Sequence, residues 1–306
     1  MIERWEITGR DEWLLRRRRN INGSEVAALF GLNPYMTPFA LHAEKAGLAD
    51  LSTPDSAVLR RGRILETSIP VAVVEDRPKW KIEKATDYLW SPEWRLGCTP
   101  DFYVHCPERG LGVLQAKTVA KPIFEEQWQD GPPQWIVLQT LQEQMLADVS
   151  WGAIVPLVIS SFDLDWKIFE FDRHALAEQR IIAKSTAFWA DVDAGRQPKM
   201  DYGRDGDVIK ALFPRDNGAS IDLAGDNRLP ELLERREHLK TTDKHTGQEL
   251  KAIDAEIAAK MGDAAAASLP GWRITNKTQE RAGYEVKPAS FRVLRVKRTN
   301  EQEMAA

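Results

Sequence analysis

The chain has 306 residues, 43% hydrophobic and 29% charged, a balance that excludes fibrous, collagen-like and wholly disordered classes. Lys and Arg (42) nearly match Asp and Glu (46), so the net charge of −4 supplies no global attraction for nucleic acid. The longest apolar run, Trp151 to Ile159, is about half a membrane span and contains Pro156, which excludes a transmembrane helix.

In chain order, Trp13 to Gly47 reads as helix, turn, helix. Ser24 stands as an N-cap before Glu25-Val-Ala-Ala-Leu-Phe, Asn33-Pro34 ends that helix, and Thr37-Pro38 opens the next, over Phe39 to Gly47. Val58 to Ala72 reads as one helix with Glu66 near its middle. Three strand-like stretches follow, WKIEKATDYLW, RLGCTPDFYVH and GLGVLQAKT, separated by turns rich in Pro and Gly. Gln134 to Ala147 is helical after the breaker Gly131-Pro132-Pro133. Gly152 to Ser160 and Trp166 to Phe171 read as strands, and Arg173 to Ala194 as a long helix ended by Gly195. This order predicts an α/β fold, a mixed central β-sheet flanked by helices.

The character changes near residue 200, which divides a core (1–200) from a C-terminal region (201–306). There Leu229 to Met261 reads as an αα-hairpin turning at Thr246-Gly247, and GWRITNKT and SFRVLRVKR read as two basic β-strands between about 271 and 299. Positive charge gathers in two places. One is the run Arg16 to Arg19; the other holds Arg273, Lys277, Arg281, Lys287, Arg292, Arg295, Lys297 and Arg298 against Glu280 and Glu285. Such patches on an acidic protein suit a polyanion held at one place.

MIERWEITGR lacks an apolar stretch, so no signal peptide is expected, and two cysteines, Cys98 and Cys106, suit a reducing cytoplasm. His42, His105, His174, His238 and His245 are scattered without ligand spacing, which argues against zinc, and no phosphate-binding G-x-x-x-x-G-K-[ST] loop is present. The stretch Thr99 to Lys117 is more informative. Asp101 closes one strand and Lys117 ends a later one, so a hairpin brings them together, with Glu66 on a preceding helix. Hard oxygen ligands for Mg²⁺ beside an ammonium group suit phosphodiester hydrolysis.

Several motifs occur together in order. EWLLRRRRNINGSEVAALFGLNPYMTP contains W-x-x-x-R, a variant of G-G-S-[DE], and G-x-[SN]-P-Y. RGRILE contains G-x-x-x-E, and TPDF, GVLQAKT and PQWIVLQ follow. This series resembles the PD-(D/E)xK nuclease superfamily, within it the YqaJ-type viral recombinases, similar to the lambda-type phage exonucleases. The resemblance covers about residues 10–200. It implies that Glu66, Asp101, Gln115 and the backbone carbonyl of Ala116 approach Mg²⁺ or Mn²⁺. It further implies that Lys117 steadies the attacking water and transition state, that Gln139 is the family's helix glutamine, and that Arg17 and Ser24 hold a 5′-phosphate of double-stranded DNA ends.

One residue departs from the pattern: Gln115 stands where the family has Asp or Glu, and an amide neither carries charge nor acts as a base. Either the site uses Gln115 as it is, or another acid replaces the carboxylate. Glu143, four residues after Gln139 and on the same helix face, is the first candidate; Glu125 and Glu126 are weaker ones. The resemblance implies a phage- or prophage-encoded enzyme, cytoplasmic in a bacterial host, that resects duplex ends 5′ to 3′. A single-strand annealing protein would be its partner and a homo-oligomer, a trimer in the lambda type, its assembly. The rival readings are a structure- or sequence-specific endonuclease, a catalytically silent end-binding module, and a scaffold.

Overall fold

The computed structural model describes residues 1–49, 56–215, 225–261, 266–269 and 272–275. Two compact units divide after Phe213. The first extends past the change in composition near residue 200 because helix α8, defined below, packs Val208 against Phe39, Ala40 and Ala43, and Thr37 hydrogen-bonds Asp205.

The first unit opens with β1 (Glu3–Glu6), α1 (Arg10–Arg18), β2 (Ile21–Asn22) and a 3-10 turn over Val26–Phe30, then α2 (Pro38–Lys45), α3 (Ala57–Glu66) and α4 (Ile69–Asp76). Strands β3 (Lys81–Lys84), β4 (Asp87–Ser91), β5 (Leu96–Cys98), β6 (Phe102–Cys106) and β7 (Gly110–Ala120) follow. Next come α5 (Lys121–Gln127), α6 (Gln134–Ala147), β8 (Trp151–Ile159), β9 (Leu164–Trp166), β10 (Phe169–Asp172), α7 (Ala175–Asp193) and α8 (Gly206–Leu212). A six-stranded sheet runs β10-β8-β7-β6-β3, with β9 also paired to β8; a four-stranded sheet runs β1-β4-β5-β2. Parallel pairs occur at β7·β8 and β2·β5 among antiparallel ones, so the expected mixed sheet flanked by helices is present, split in two.

Three expectations are corrected. The segment 58–72 is two helices rather than one: Thr67 caps α3 and Pro70 starts α4, so Glu66 is the last residue of its helix rather than a middle one. The stretch WKIEKATDYLW changes sheet at Ala85-Thr86, giving β3 to one sheet and β4 to the other, and RLGCTPDFYVH does the same at Thr99-Pro100. Ser24 caps no helix, because the 3-10 turn has Glu25 at its N-cap and the Glu25 carboxylate reaches back to the Asn22 N–H at 2.9 Å.

Burial follows strand alternation. On β7, Leu114 and Ala116 enter an apolar cluster with Ile69, Val73, Trp80 and Trp151 beneath α4. The alternate residues Gln115 and Lys117 hydrogen-bond Gln139 of α6, while Val119 packs with Ile136. A second large cluster joins α6, α7 and the four-stranded sheet through Leu141, Met145, Ile181, Phe188, Leu89 and Leu96. Helix α6 itself is buried in both senses, with Gln139, Gln142, Glu143 and Gln144 all buried. The Gln142 amide donates to the carbonyls of Ile21 and Gly97, both at 2.9 Å, and so ties α6 to the parallel β2·β5 pair. Cys98 and Cys106 are free, buried thiols in separate clusters.

The second unit contains α9 (Leu229–Met261), β11 (Ala266–Leu269) and β12 (Trp272–Thr275). The expected hairpin is one continuous helix; the half-buried glycine at 247 costs about 1 kcal/mol, which the flanking Leu, Glu and Lys residues, good helix formers, offset. Of the two expected basic strands, the first is β12, whose antiparallel partner is β11. The second, SFRVLRVKR, lies outside the described residues.

Candidate active site

The β5–β6 corner brings Asp101 alongside β7. Its Oδ2 accepts from the Ala116 N–H at 2.9 Å and from the Gln115 side-chain amide. Gln115 Nε2 also donates to the Ala116 carbonyl at 3.3 Å, while its Oε1 accepts from Gln139 Nε2 at 2.6 Å. Gln139 is the hub of this cleft: it donates to Glu143 Oε1 at 3.0 Å and accepts from the Lys117 ammonium at 3.1 Å. One turn of α6 therefore receives two alternate residues of β7 on Gln139 and carries Glu143 on the same face.

Glu66 arrives from the end of α3 and is paired with Lys84 of β3, a residue that sequence reasoning missed. A cleft of about 450 Å³ is lined by Arg17, Ser24, Glu66, Lys84, Asp101, Gln139 and Glu143. Lys117 faces a neighbouring cavity of about 930 Å³ that shares Arg17, Ser24 and Gln139 with the first. Arg17 donates to Ser24 Oγ at 3.2 Å, stacks over Trp13 at 4.7 Å and lies 3.7 Å from Glu25. Every expected site residue thus borders these two connected spaces or the hydrogen-bonded cluster beside them, whereas Glu125 and Glu126 are exposed on α5.

Electrostatics separates the acids. Burial, helped by the Glu66 charge and opposed by Lys117, pushes the Asp101 carboxyl up to about 6. Burial and the Asp101 charge push Glu143 well above the usual carboxylate range, and its Oε2 is a buried oxygen without a hydrogen-bond partner. Among the described residues no group of three or more His, Cys, Asp or Glu side chains stands ready to hold a metal ion. The donors within reach are nevertheless all oxygen (Glu66, Asp101, the Ala116 carbonyl and Glu143), the set that suits a hard divalent cation. The partnerless Oε2 of Glu143 fits such an ion. Glu66 would have to exchange Lys84 for it, and Asp101 the Gln115 amide. Gln115 presents its nitrogen to Asp101, so its oxygen could serve as a ligand only after the amide turns over.

Comparison with known proteins bears on this arrangement. The uncharacterized protein YqaJ of Bacillus subtilis (strain 168) is 27% identical over 260 residues, which span 83% of this chain and 79% of that protein. An alkaline exonuclease from Laribacter hongkongensis, LHK-Exo, is similar over 66% of this chain and 100% of its own, with 16% identity and a TM-score of 0.48. A phage-related exonuclease from Haemophilus somnus 129PT is similar over 57% of this chain and 96% of its own, with 12% identity and a TM-score of 0.40. The model of the YqaJ-like viral recombinase domain matches residues 12–150, which take in Arg17, Ser24, Glu66, Asp101, Gln115, Lys117, Gln139 and Glu143. With its motif residues gathered at one cleft, residues 12–150 of the chain are similar to the YqaJ-like viral recombinase domain.

Proposed function

We propose that the protein is a metal-dependent DNA exonuclease, a phosphodiester hydrolase that resects duplex ends 5′ to 3′ and leaves single strands for an annealing protein. The observation that carries this reading is the shared cleft. Acids suited to a cation (Glu66, Asp101, Glu143) and groups suited to a terminal phosphate (Arg17, Ser24) border the same space. The viral-recombinase description of the matched domain points the same way.

Glu66, Asp101, the Ala116 carbonyl and either Glu143 or Gln115 would hold Mg²⁺ or Mn²⁺, which when bound supplies Lewis acidity and a water of lowered pKa. Lys117, steadied by Gln139 and lying 5.6 Å over the Trp135 ring, offsets the negative charge that builds on the phosphorane. Gln139 keeps that ammonium and the Gln115 amide in register from a single helix position. Arg17 offers a planar guanidinium and Ser24 a hydroxyl to the 5′-phosphate. The Arg16–Arg19 run and the basic C-terminal segment bind backbone phosphates without reading sequence. A homo-oligomer, a trimer by the resemblance, would keep the enzyme on its end between turnovers.

The test uses linear duplex labelled at its 5′ end, with and without a 5′-phosphate, incubated with Mg²⁺ or Mn²⁺. Progressive loss from the phosphorylated end is expected, slowed at least about 10²-fold by Lys117→Ala. Cutting of closed circular DNA would make the protein an endonuclease instead. One observation favours a second reading: the Gln115 amide occupies Asp101 where the family has a carboxylate. End binding without cleavage in either metal would establish that silent, end-holding role.

A further inference from the structure

Resting on the end-resecting reading, we infer that the Tyr35 ring, braced edge to face by Trp135, forms a stacking platform for the base of the terminal nucleotide whose 5′-phosphate sits on Arg17 and Ser24. The Tyr35 ring is 86% exposed, and it meets Trp135 edge to face with ring centroids 5.8 Å apart. It takes part in none of the apolar clusters of the core.

The turn that carries the ring is pinned. Asn33, buried to 5% exposure, accepts from the Tyr35 and Met36 N–H groups at 2.9 and 3.1 Å. Its amide donates to the Ser24 carbonyl at 3.0 Å, and Arg204 donates to the Asn33 carbonyl at 2.6 Å. The turn that presents the ring is therefore fastened directly to a residue of the phosphate clamp. An aromatic on a turn fixed in advance has only its own two side-chain torsions to order on binding, so little of the contact energy is lost.

The space in front of the platform has ample room for a nucleoside. The cavity of about 930 Å³ is lined by Arg17, Ser24, Tyr35, Lys117, Trp135 and Gln139, and lies within the range of small-molecule pockets. It shares Arg17, Ser24 and Gln139 with the acid-lined cleft, so a phosphate at that common wall leaves its nucleoside facing the rings. Two acids also line it. Glu25 is met by Lys45 at 2.7 Å, which offsets its charge, and burial pushes the Glu44 carboxyl upward. Stacking uses the face that every base possesses, so the platform accepts any end sequence.

The experiment is a cycle between protein ring and DNA base, run on the full chain under single-turnover conditions with Mn²⁺. Two 5′-phosphorylated duplexes are compared, one with a normal terminal nucleotide and one with an abasic tetrahydrofuran residue there. Wild type is expected to cut the abasic end about tenfold more slowly. Tyr35→Ala should cut both ends at the same slow rate, and Tyr35→Phe should behave as wild type. Tyr35→Ala that keeps the tenfold preference, or that cuts the normal end at the wild-type rate, would overturn the platform while leaving the nuclease reading intact. If wild type cuts neither end, the nuclease reading fails, and the same four combinations are read by fluorescence anisotropy of end binding. An equal affinity of wild type for normal and abasic ends would then overturn the platform.

Discussion

Glu25 and Glu143 are both buried acids beside the two connected clefts, and the fold treats them in opposite ways. Burial pushes the Glu25 carboxyl up, but Lys45 at 2.7 Å, Arg17 and the Asn22 N–H together outweigh it and hold the group below the usual range. Glu143 receives one hydrogen bond, from Gln139, and nothing on its second oxygen; burial and Asp101 both drive it upward. A buried charge is tolerated where it is paired and is otherwise neutralised. Glu25 is accordingly a finished structural pair, whereas Glu143 keeps one oxygen open, to a proton or, on the reading proposed above, to a cation.

The contrast can be broken most sharply at Glu25. Glu25→Ala leaves Lys45, whose side chain is 0% exposed, without its main counter-charge. A loss of about 3–5 kcal/mol is expected, which lowers the melting temperature by roughly 10 °C. A variant melting within about two degrees of wild type would dissolve the distinction between the two acids.

Glu143→Gln is expected to do the reverse, leaving the melting temperature of the metal-free protein unchanged or higher. It should abolish most of the rise that Mn²⁺ produces in wild type, a rise of about 2–3 kcal/mol at a hundredfold excess of ion over its Kd. Gln115→Ala, measured by the same thermal titration, should keep that rise. If Gln115→Ala loses it and Glu143→Gln retains it, the amide is the ligand and Glu143 is a bystander.

Acidity sharpens the comparison further. Asp101 and Glu143 bind protons more tightly in the folded chain than in the unfolded one. Their contribution to stability is therefore present at low pH and is lost as pH rises through the folded value, about 6 for Asp101. The metal-free protein should melt at a higher temperature near pH 5 than near pH 7, and Asp101→Asn should flatten that slope. A slope of the opposite sign in wild type, unchanged in the variant, would show that the cleft acids titrate normally.

The smallest effect is expected at Gly23. A Cβ there would lie 3.2 Å from Glu143 Oε1 and 3.3 Å from Gln139 Cγ, so Gly23→Ala should cost about 1 kcal/mol or less. It should slow cleavage several-fold by moving both side chains. Unchanged kinetics would mean that the positions of Gln139 and Glu143 are not critical.

Much of this site was legible because its spacing is local. Strand alternation puts Gln115 and Lys117 on one face, and helical spacing puts Gln139 and Glu143 on another. Lys84 was not legible, because its place beside Glu66 depends on the β3·β6 register, Lys84 opposite Phe102, which no local pattern encodes. The sheet switches at Ala85-Thr86 and Thr99-Pro100 escaped for the same reason: strand propensity is continuous across them, and tertiary pairing decides where each strand goes. The turn at Thr246-Gly247 failed in the other direction. One glycine is a weak breaker inside 33 residues of otherwise strong helix formers.

The Gln142 amide, donating to the carbonyls of Ile21 and Gly97, has a further consequence. Ile21 leads into Gly23 and Ser24, Gly97 leads into Asp101, and the same helix carries Gln139 and Glu143. The span from the end-holding groups to the acids is therefore measured by one rigid element, with little left to loops. On the exonuclease reading proposed above, that span would set the stride, so the released fragment would have the same length whatever sequence passes.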